Sequence, residues 1–158
     1  MPISARYVHT NLVARDWRRL ASFYQDVFGC TPVPPERDFH GPAFDTLTGI
    51  AGARLRGMHL RLPGYGDTGP TLEIFEYAPA QAKPDAAVNR QGYGHIAFAV
   101  DDVARAYDTV VQAGGRPIGG IVTLEIAGGA RVTVVYMADP EGNIIELQSW
   151  SQPAAPAS

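Results

Sequence analysis

The 158-residue sequence predicts an α+β fold made of two copies of one βαβββ unit. Three observations carry this reading. A strand-like stretch followed by a glycine-terminated helix occurs twice, near the start of the chain and again past its middle. A histidine precedes an aspartate by seven residues in both places, His9 before Asp16 and His95 before Asp102. The closing strand of each copy carries one glutamate between aliphatic residues, in LEI at 72–74 and IEL at 145–147. The repeat is too long in period for a solenoid. It implies a single domain spanning residues 1–158, with module one at 5–78, a linker at 79–91 and module two at 92–150. The two modules pair into a curled mixed sheet around a cavity.

The opening stretch ARYVHTNLV alternates like a strand, placing Tyr7, His9, Asn11 and Val13 on one face. Asp16 caps a helix through WRRLASFYQDVFG, with Trp17, Leu20, Tyr24, Val27 and Phe28 as its apolar stripe and Gly29 as its end. The Pro- and Gly-rich stretch from Thr31 to Ala53 reads as a short strand leading into a long irregular loop. Within it, 36–53 is long enough for a lid, with Phe39 and Phe44 to cover a substrate. RLRGMHLRL and TLEIFEY read as two strands separated by a turn-rich PGYGDTGP. The Ala-, Pro- and polar-rich APAQAKPDAAVNRQ reads as the linker. YGHIAFAV is the next strand. A helix then starts at Asp101 or Asp102, runs to Val111 and closes at Gly114-Gly115. A short strand and loop lead to the strand RVTVVYMA, the turn DPEGN and the last strand IIELQSW. The tail SQPAAPAS, 151–158, is expected to be flexible.

Composition narrows the function classes. Hydrophobic residues at 46% and charged residues at 18% fit an ordinary globular chain. The net charge of −3 gives no reason to expect nucleic acid or an anionic membrane as partner. No apolar run approaches the roughly 18 residues of a membrane span, and the N-terminus lacks the pattern of a signal peptide. The single cysteine, Cys30, fits a reducing cytoplasm and reads as a packed residue rather than a nucleophile.

Four polar residues occupy equivalent positions in the repeat: His9 and His95 on the first strands, Glu73 and Glu146 on the last. A glutamate between aliphatics is costly to bury unless it is paired, protonated or metal-bound. Taken singly, a strand histidine is more often a core residue than a ligand, and either glutamate could face solvent. Their register with the repeat is what favours a site. If the strands curl so that the four converge, two imidazoles and two carboxylates suit one divalent ion, Zn, Ni, Co, Mn or Fe. Strand parity puts Tyr7 and Asn11 beside His9, Phe75 beside Glu73 and Tyr93 beside His95, making these four the candidate substrate pocket. Glu76, of opposite parity to Glu73, reads as outward. His40 and His59 have no counterpart in the repeat and read as non-ligands. Arg54, Arg56 and Arg61 are either surface-paired or available to an acidic substrate.

The paired units, together with FYQDVFG, GHIAFAVDD and DPEGNIIEL, resemble the vicinal oxygen chelate superfamily, which includes glyoxalases, methylmalonyl-CoA epimerases, extradiol dioxygenases and bleomycin- or fosfomycin-resistance proteins. The resemblance covers roughly residues 6–150. It implies a glyoxalase-like fold, metal ligation by His9, Glu73, His95 and Glu146, and a homodimer acting on a small molecule. It also implies that Glu73 or Glu146 is the base that moves a proton beside an enolate or enediolate, in a 2-oxo or thioester substrate. Two features differ from close relatives. EIFEYAPAQ replaces the Asn-Trp-Gly continuation usual in glutathione-dependent glyoxalase I, and methylmalonyl-CoA epimerases usually carry Gln where Glu73 stands. A metal-dependent lyase or isomerase ranks first. An extradiol Fe(II) dioxygenase using His9, His95 and Glu146 ranks second, and a metal-free binding protein third.

Overall fold

The computed structural model describes residues 3–151. The chain forms two compact units, Met1–Lys83 and Pro84–Ser158. Unit one runs β1 (His9–Val13), α1 (Trp17–Phe28), β2 (Thr31–His40), α2 (Pro42–Thr48), β3 (Arg54–Arg61) and β4 (Thr71–Ala78). Unit two runs β5 (Ile96–Ala99), α3 (Val103–Gln112), β6 (Arg116–Pro117), β7 (Val122–Glu125), β8 (Arg131–Ala138) and β9 (Ile144–Ser151). The fold is α+β, as expected, with one mixed sheet in each unit. The strand orders are β1-β4-β3-β2 and β5-β9-β8-β6, with β7 also on β8. Each opening strand pairs in parallel with the closing strand of its own unit, and the remaining pairings are antiparallel. Neither sheet closes on itself, since β1 and β2 are the ends of one order and β5 and β6 of the other.

Both main helices begin as their sequences dictate. The carboxylates of Asp16 and Asp102 accept from the backbone N–H three residues on, at Arg19 and Arg105, each at 3.0 Å. Gly29 closes α1 in the left-handed conformation. The buried side chains of α1 are Trp17, Leu20, Ala21, Phe23 and Tyr24, while Val27 and Phe28 are only half-buried. The stripe thus lies on the predicted face but is buried only in the N-terminal two-thirds of the helix. α1 packs on β3 and β4. Leu20, Tyr24, Leu60, Leu72 and Ile74 are almost wholly removed from solvent, each aliphatic contributing about 1.5–3 kcal/mol. The opposite face of β4 is thereby left to Thr71, Glu73 and Phe75.

The region expected to be a short strand and irregular loop is instead a ten-residue strand and a helix. Pro42 sits in the first turn of α2, where a missing N–H costs nothing, and Gly49 ends the helix. The Asp45 carboxylate then accepts from the N–H groups of Gly52 (2.9 Å) and Ala53 (3.0 Å), tying the helix to the start of β3. Phe44 packs with Ala53, Leu55, Phe75 and Tyr77 rather than standing over a cavity, and only Phe39 is exposed. β2 bulges between Val33 and Arg37, where Pro34 and Pro35 have no N–H to pair. In unit two the matching edge breaks into β6 and β7.

In the DPEGN turn, Asp139 is 1% exposed. Its carboxylate accepts from the Glu141 and Asn143 N–H groups at 2.9 and 2.8 Å and from the Asn143 side chain at 2.7 Å. Asp139→Ala strands these donors at the entry to β9 and is expected to cost about 3 kcal/mol, read from denaturant unfolding. A loss below about 1 kcal/mol would contradict it.

Cys30 is buried, and burial pushes its thiol from 9.0 up to about 11. The folded chain therefore holds this proton more tightly than the unfolded chain. The contribution is complete below pH 9 and is lost as pH rises through about 11, up to about 3 kcal/mol. Wild type should lose more stability over that interval than Cys30→Ala; equal losses would contradict the account. Of the expected tail, Ser151 is the last residue of β9, and 152–158 lie outside the described residues. No helix among the described residues is long and apolar enough to cross a membrane.

Candidate functional site

Unit one builds its polar cluster around Glu73, in the middle of β4 and 9% exposed. Sheet register sets its neighbours: Asn11 of β1 lies alongside it, and His59 of β3 lies directly opposite. Asn11 Nδ2 donates to Glu73 Oε2 at 3.4 Å. His9, two residues before Asn11 and so on the same face, brings Nδ1 to 3.4 Å from Oε1. His59 brings Nε2 to 3.2 Å from the same oxygen, and its Nδ1 is hydrogen-bonded to Thr71 Oγ1 at 3.4 Å. The His59 ring lies edge-to-face on Phe75 at 5.7 Å and on His9 at 6.1 Å. Desolvation holds the His59 imidazole below its ordinary pKa. Glu73 opposes that shift, while Arg37, His9 and Arg61 reinforce it.

A glycine makes room for this arrangement. Gly57, in β3, faces Phe75 across the strand pair and has φ +157°. A Cβ there would collide with the Ile74 carbonyl oxygen and the Phe75 ring. Its bare backbone lets Phe75 lie across β3 and reach His59.

Unit two repeats the plan. His95 stands immediately before β5, two residues ahead of Ala97, which pairs with Glu146. His95 Nε2 is 3.3 Å from Glu146 Oε2. Tyr136 of β8 lies directly opposite Glu146, with its ring 5.1 Å from that of His95. Desolvation raises the Tyr136 phenol pKa, and the charge of Glu146 and the hydrogen bond to it add to the rise. The phenol thus stays protonated and donates to the carboxylate.

The four expected ligands therefore fall two to a unit, His9 with Glu73 and His95 with Glu146. Among the described residues, no group of three or more His, Cys, Asp or Glu side chains is disposed to hold a metal ion. None of their buried side-chain polar atoms lacks a hydrogen-bond partner. Of the pocket candidates, Asn11 and Phe75 adjoin the unit-one cluster. Tyr7 and Tyr93 lie outside the strands and are exposed, Tyr93 fully so, and Tyr7 bonds to Thr10. Tyr93 thus does not share a strand with His95, because β5 starts only at Ile96. His59, read from sequence as uninvolved, is in the unit-one cluster, and Tyr136 holds the corresponding place opposite Glu146 in unit two. His40 lies at the end of β2 beside α2. Arg54 pairs with Asp38 at 2.5 Å and Arg56 with Glu76, which is partly buried, so both guanidinium groups already have a carboxylate partner. Arg61 donates to the Gly69 carbonyl at 2.7 Å.

A probable lactoylglutathione lyase of Vibrio cholerae serotype O1 is 37% identical over 90 residues, 53% of this chain and 57% of that protein. The chain thus matches little more than half the length of that relative. A lactoylglutathione lyase of Salmonella typhimurium is 29% identical over 146 residues, 90% of each chain. Among solved structures, a glyoxalase family protein from Bacillus cereus superposes with a TM-score of 0.69 at 18% identity, covering 95% of each chain. The family model of the Glyoxalase/Bleomycin resistance protein/Dioxygenase superfamily matches residues 6–147, nearly the whole sequence. With its two βαβββ units, its parallel β1–β4 and β5–β9 pairings and that match, the chain belongs to this superfamily.

Proposed function

We propose that the protein is a metal-dependent lyase or isomerase that moves a proton on a small enolisable 2-oxo or thioester substrate. The observation that carries the reading is the recurrence, in both units, of a histidine two residues ahead of the glutamate's parallel partner, reaching that glutamate at 3.3–3.4 Å. Donors bound to one ion at about 2.0–2.2 Å stand about 3.0–3.5 Å apart, so each His–Glu pair fits as half of a site. His9, Glu73, His95 and Glu146 would hold one divalent ion, Zn, Ni, Co, Mn or Fe, the two pairs contributed by one chain or by two copies in a homodimer. The ion, when bound, would supply Lewis acidity for the oxygen of the enolised substrate.

The chain's own residues do the rest. One carboxylate oxygen of Glu73 or Glu146 takes the proton from the carbon beside the carbonyl and returns it to the neighbouring carbon. Asn11 keeps the Glu73 carboxylate turned toward its face. Phe75 walls that face and restricts water. The Arg61 guanidinium, whose partner is a backbone carbonyl, supports an acidic group on the substrate. The lyase relatives support this chemistry class, and Cys30 as a free buried thiol supports a cytoplasmic setting. The test is conversion of the hemithioacetal of glutathione and a 2-oxoaldehyde into a thioester, by protein reconstituted with each ion in turn. Parallel assays follow proton exchange at the 2-carbon of acyl-CoA thioesters. Turnover that disappears with chelator and returns with metal is expected, and no turnover or exchange with any ion contradicts the reading.

A further inference from the structure

The two glutamates share one more feature, which belongs to neither histidine pair. Each has a donor-bearing ring directly across its antiparallel strand pair: His59 opposite Glu73, and Tyr136 opposite Glu146. The residue types differ and the position is the same. Resting on the metal reading above, we propose that His59 and Tyr136 are positioning residues, each fixing the carboxylate opposite it in the orientation that ligation requires.

The geometry settles what His59 presents. Its Nδ1 meets the Thr71 hydroxyl, which can donate, and its Nε2 meets a carboxylate, which can only accept. A neutral imidazole carries one N–H. The arrangement in which both contacts are satisfied puts that proton on Nε2, aimed at Glu73 Oε1. Phe75, edge-on to the ring, limits its rotation, and Thr71 is itself buried. Tyr136 needs no such tautomer selection, since its one O–H points at Glu146. Held from the side by His59 and Asn11, the Glu73 carboxylate cannot swing off its strand to pair elsewhere, and Tyr136 does the same for Glu146. Residues that orient a metal's ligands without touching the ion typically govern its affinity by about 10–100-fold.

The test exploits the two solutions the chain already contains. Metal-free wild type, His59→Phe, Tyr136→Phe and the exchanges His59→Tyr and Tyr136→His are titrated with zinc against a chromophoric chelator. The phenylalanine variants should bind zinc about 10–100-fold more weakly, and the exchanges should recover most of that loss. Wild-type affinity in the phenylalanine variants would overturn the proposal. So would a loss as deep as that of His9→Ala, which would make His59 a ligand. A second readout does not depend on metal: crystal structures of the metal-free phenylalanine variants. A displaced carboxylate on Glu73 or Glu146 supports positioning, and an unmoved one refutes it. If wild type binds no zinc or other divalent ion, the metal reading falls, and these structures still decide the positioning role.

Discussion

Replacing His95 with alanine should leave the fold standing and remove the function. The side chain is about a third exposed and contacts Glu146 and the ring of Tyr136 without entering a core. Surface truncations of this kind change stability by no more than about 0.5 kcal/mol. The same change deletes one of four proposed donors and, among the described residues, leaves Glu146 its phenol partner Tyr136. A residue that merely orients a ligand is worth about 10–100-fold in affinity, so a ligand should be worth at least about 100-fold. Activity in the metal-dependent assay should fall at least as far. The check is metal uptake and turnover of His95→Ala beside its thermal midpoint, which should stay within about 2 °C of wild type. Full activity in a folded variant would sink the metal role of His95.

Gly57→Ala should give the largest stability loss of any single methyl added to unit one. Its backbone, at φ +157°, is one that side chains rarely adopt, and the new Cβ would meet backbone on the neighbouring strand, including Phe75 Cα at 2.9 Å. A flexible side chain could yield; a β4 carbonyl in a central strand pair cannot. Strain and overpacking each cost about 1–3 kcal/mol, so a combined loss of about 3 kcal/mol is expected, close to 10 °C in thermal midpoint. The damage should be chemical too, because Phe75 would be pushed from over β3 and would no longer brace His59. Thermal unfolding and zinc titration of the same variant test both parts. A midpoint within about 2 °C of wild type would contradict the strain argument.

The repeat was legible because strand parity and caps are local. His9 and His95, Asp16 and Asp102, and LEI and IEL could be matched by spacing, and the register of each pair follows from them. The stretch Thr31–Ala53 was misread because its prolines and glycines signal breaks without saying what lies between them. Pro42 starts a helix and Asp45 anchors its far end, and the second of these depends on contacts seven and eight residues away. His59 was missed for a different reason. It precedes Glu73 by fourteen residues, whereas Tyr136 precedes Glu146 by ten, since 62–70 links Arg61 to Thr71 while only 139–143 links Ala138 to Ile144. Unequal turns hide equal register, and a search for matching residue types does not pair an imidazole with a phenol. A search for donors at matched register would have found both. Tyr93 failed in the opposite way: alternation was extended past the true start of β5.

The measurement that bears most directly on the central claim is the metal content of purified, untagged protein, determined by mass spectrometry without chelators and again after titration with divalent ions. The account predicts one Zn, Ni, Co, Mn or Fe for each set of His9, Glu73, His95 and Glu146, lost in His95→Ala and in Glu73→Gln. Iron as the native ion would move the oxygenase chemistry ahead of proton transfer. No metal in the purified protein, and none taken up on titration, would contradict the account and leave the two His–Glu pairs as hydrogen-bonded elements of a binding protein.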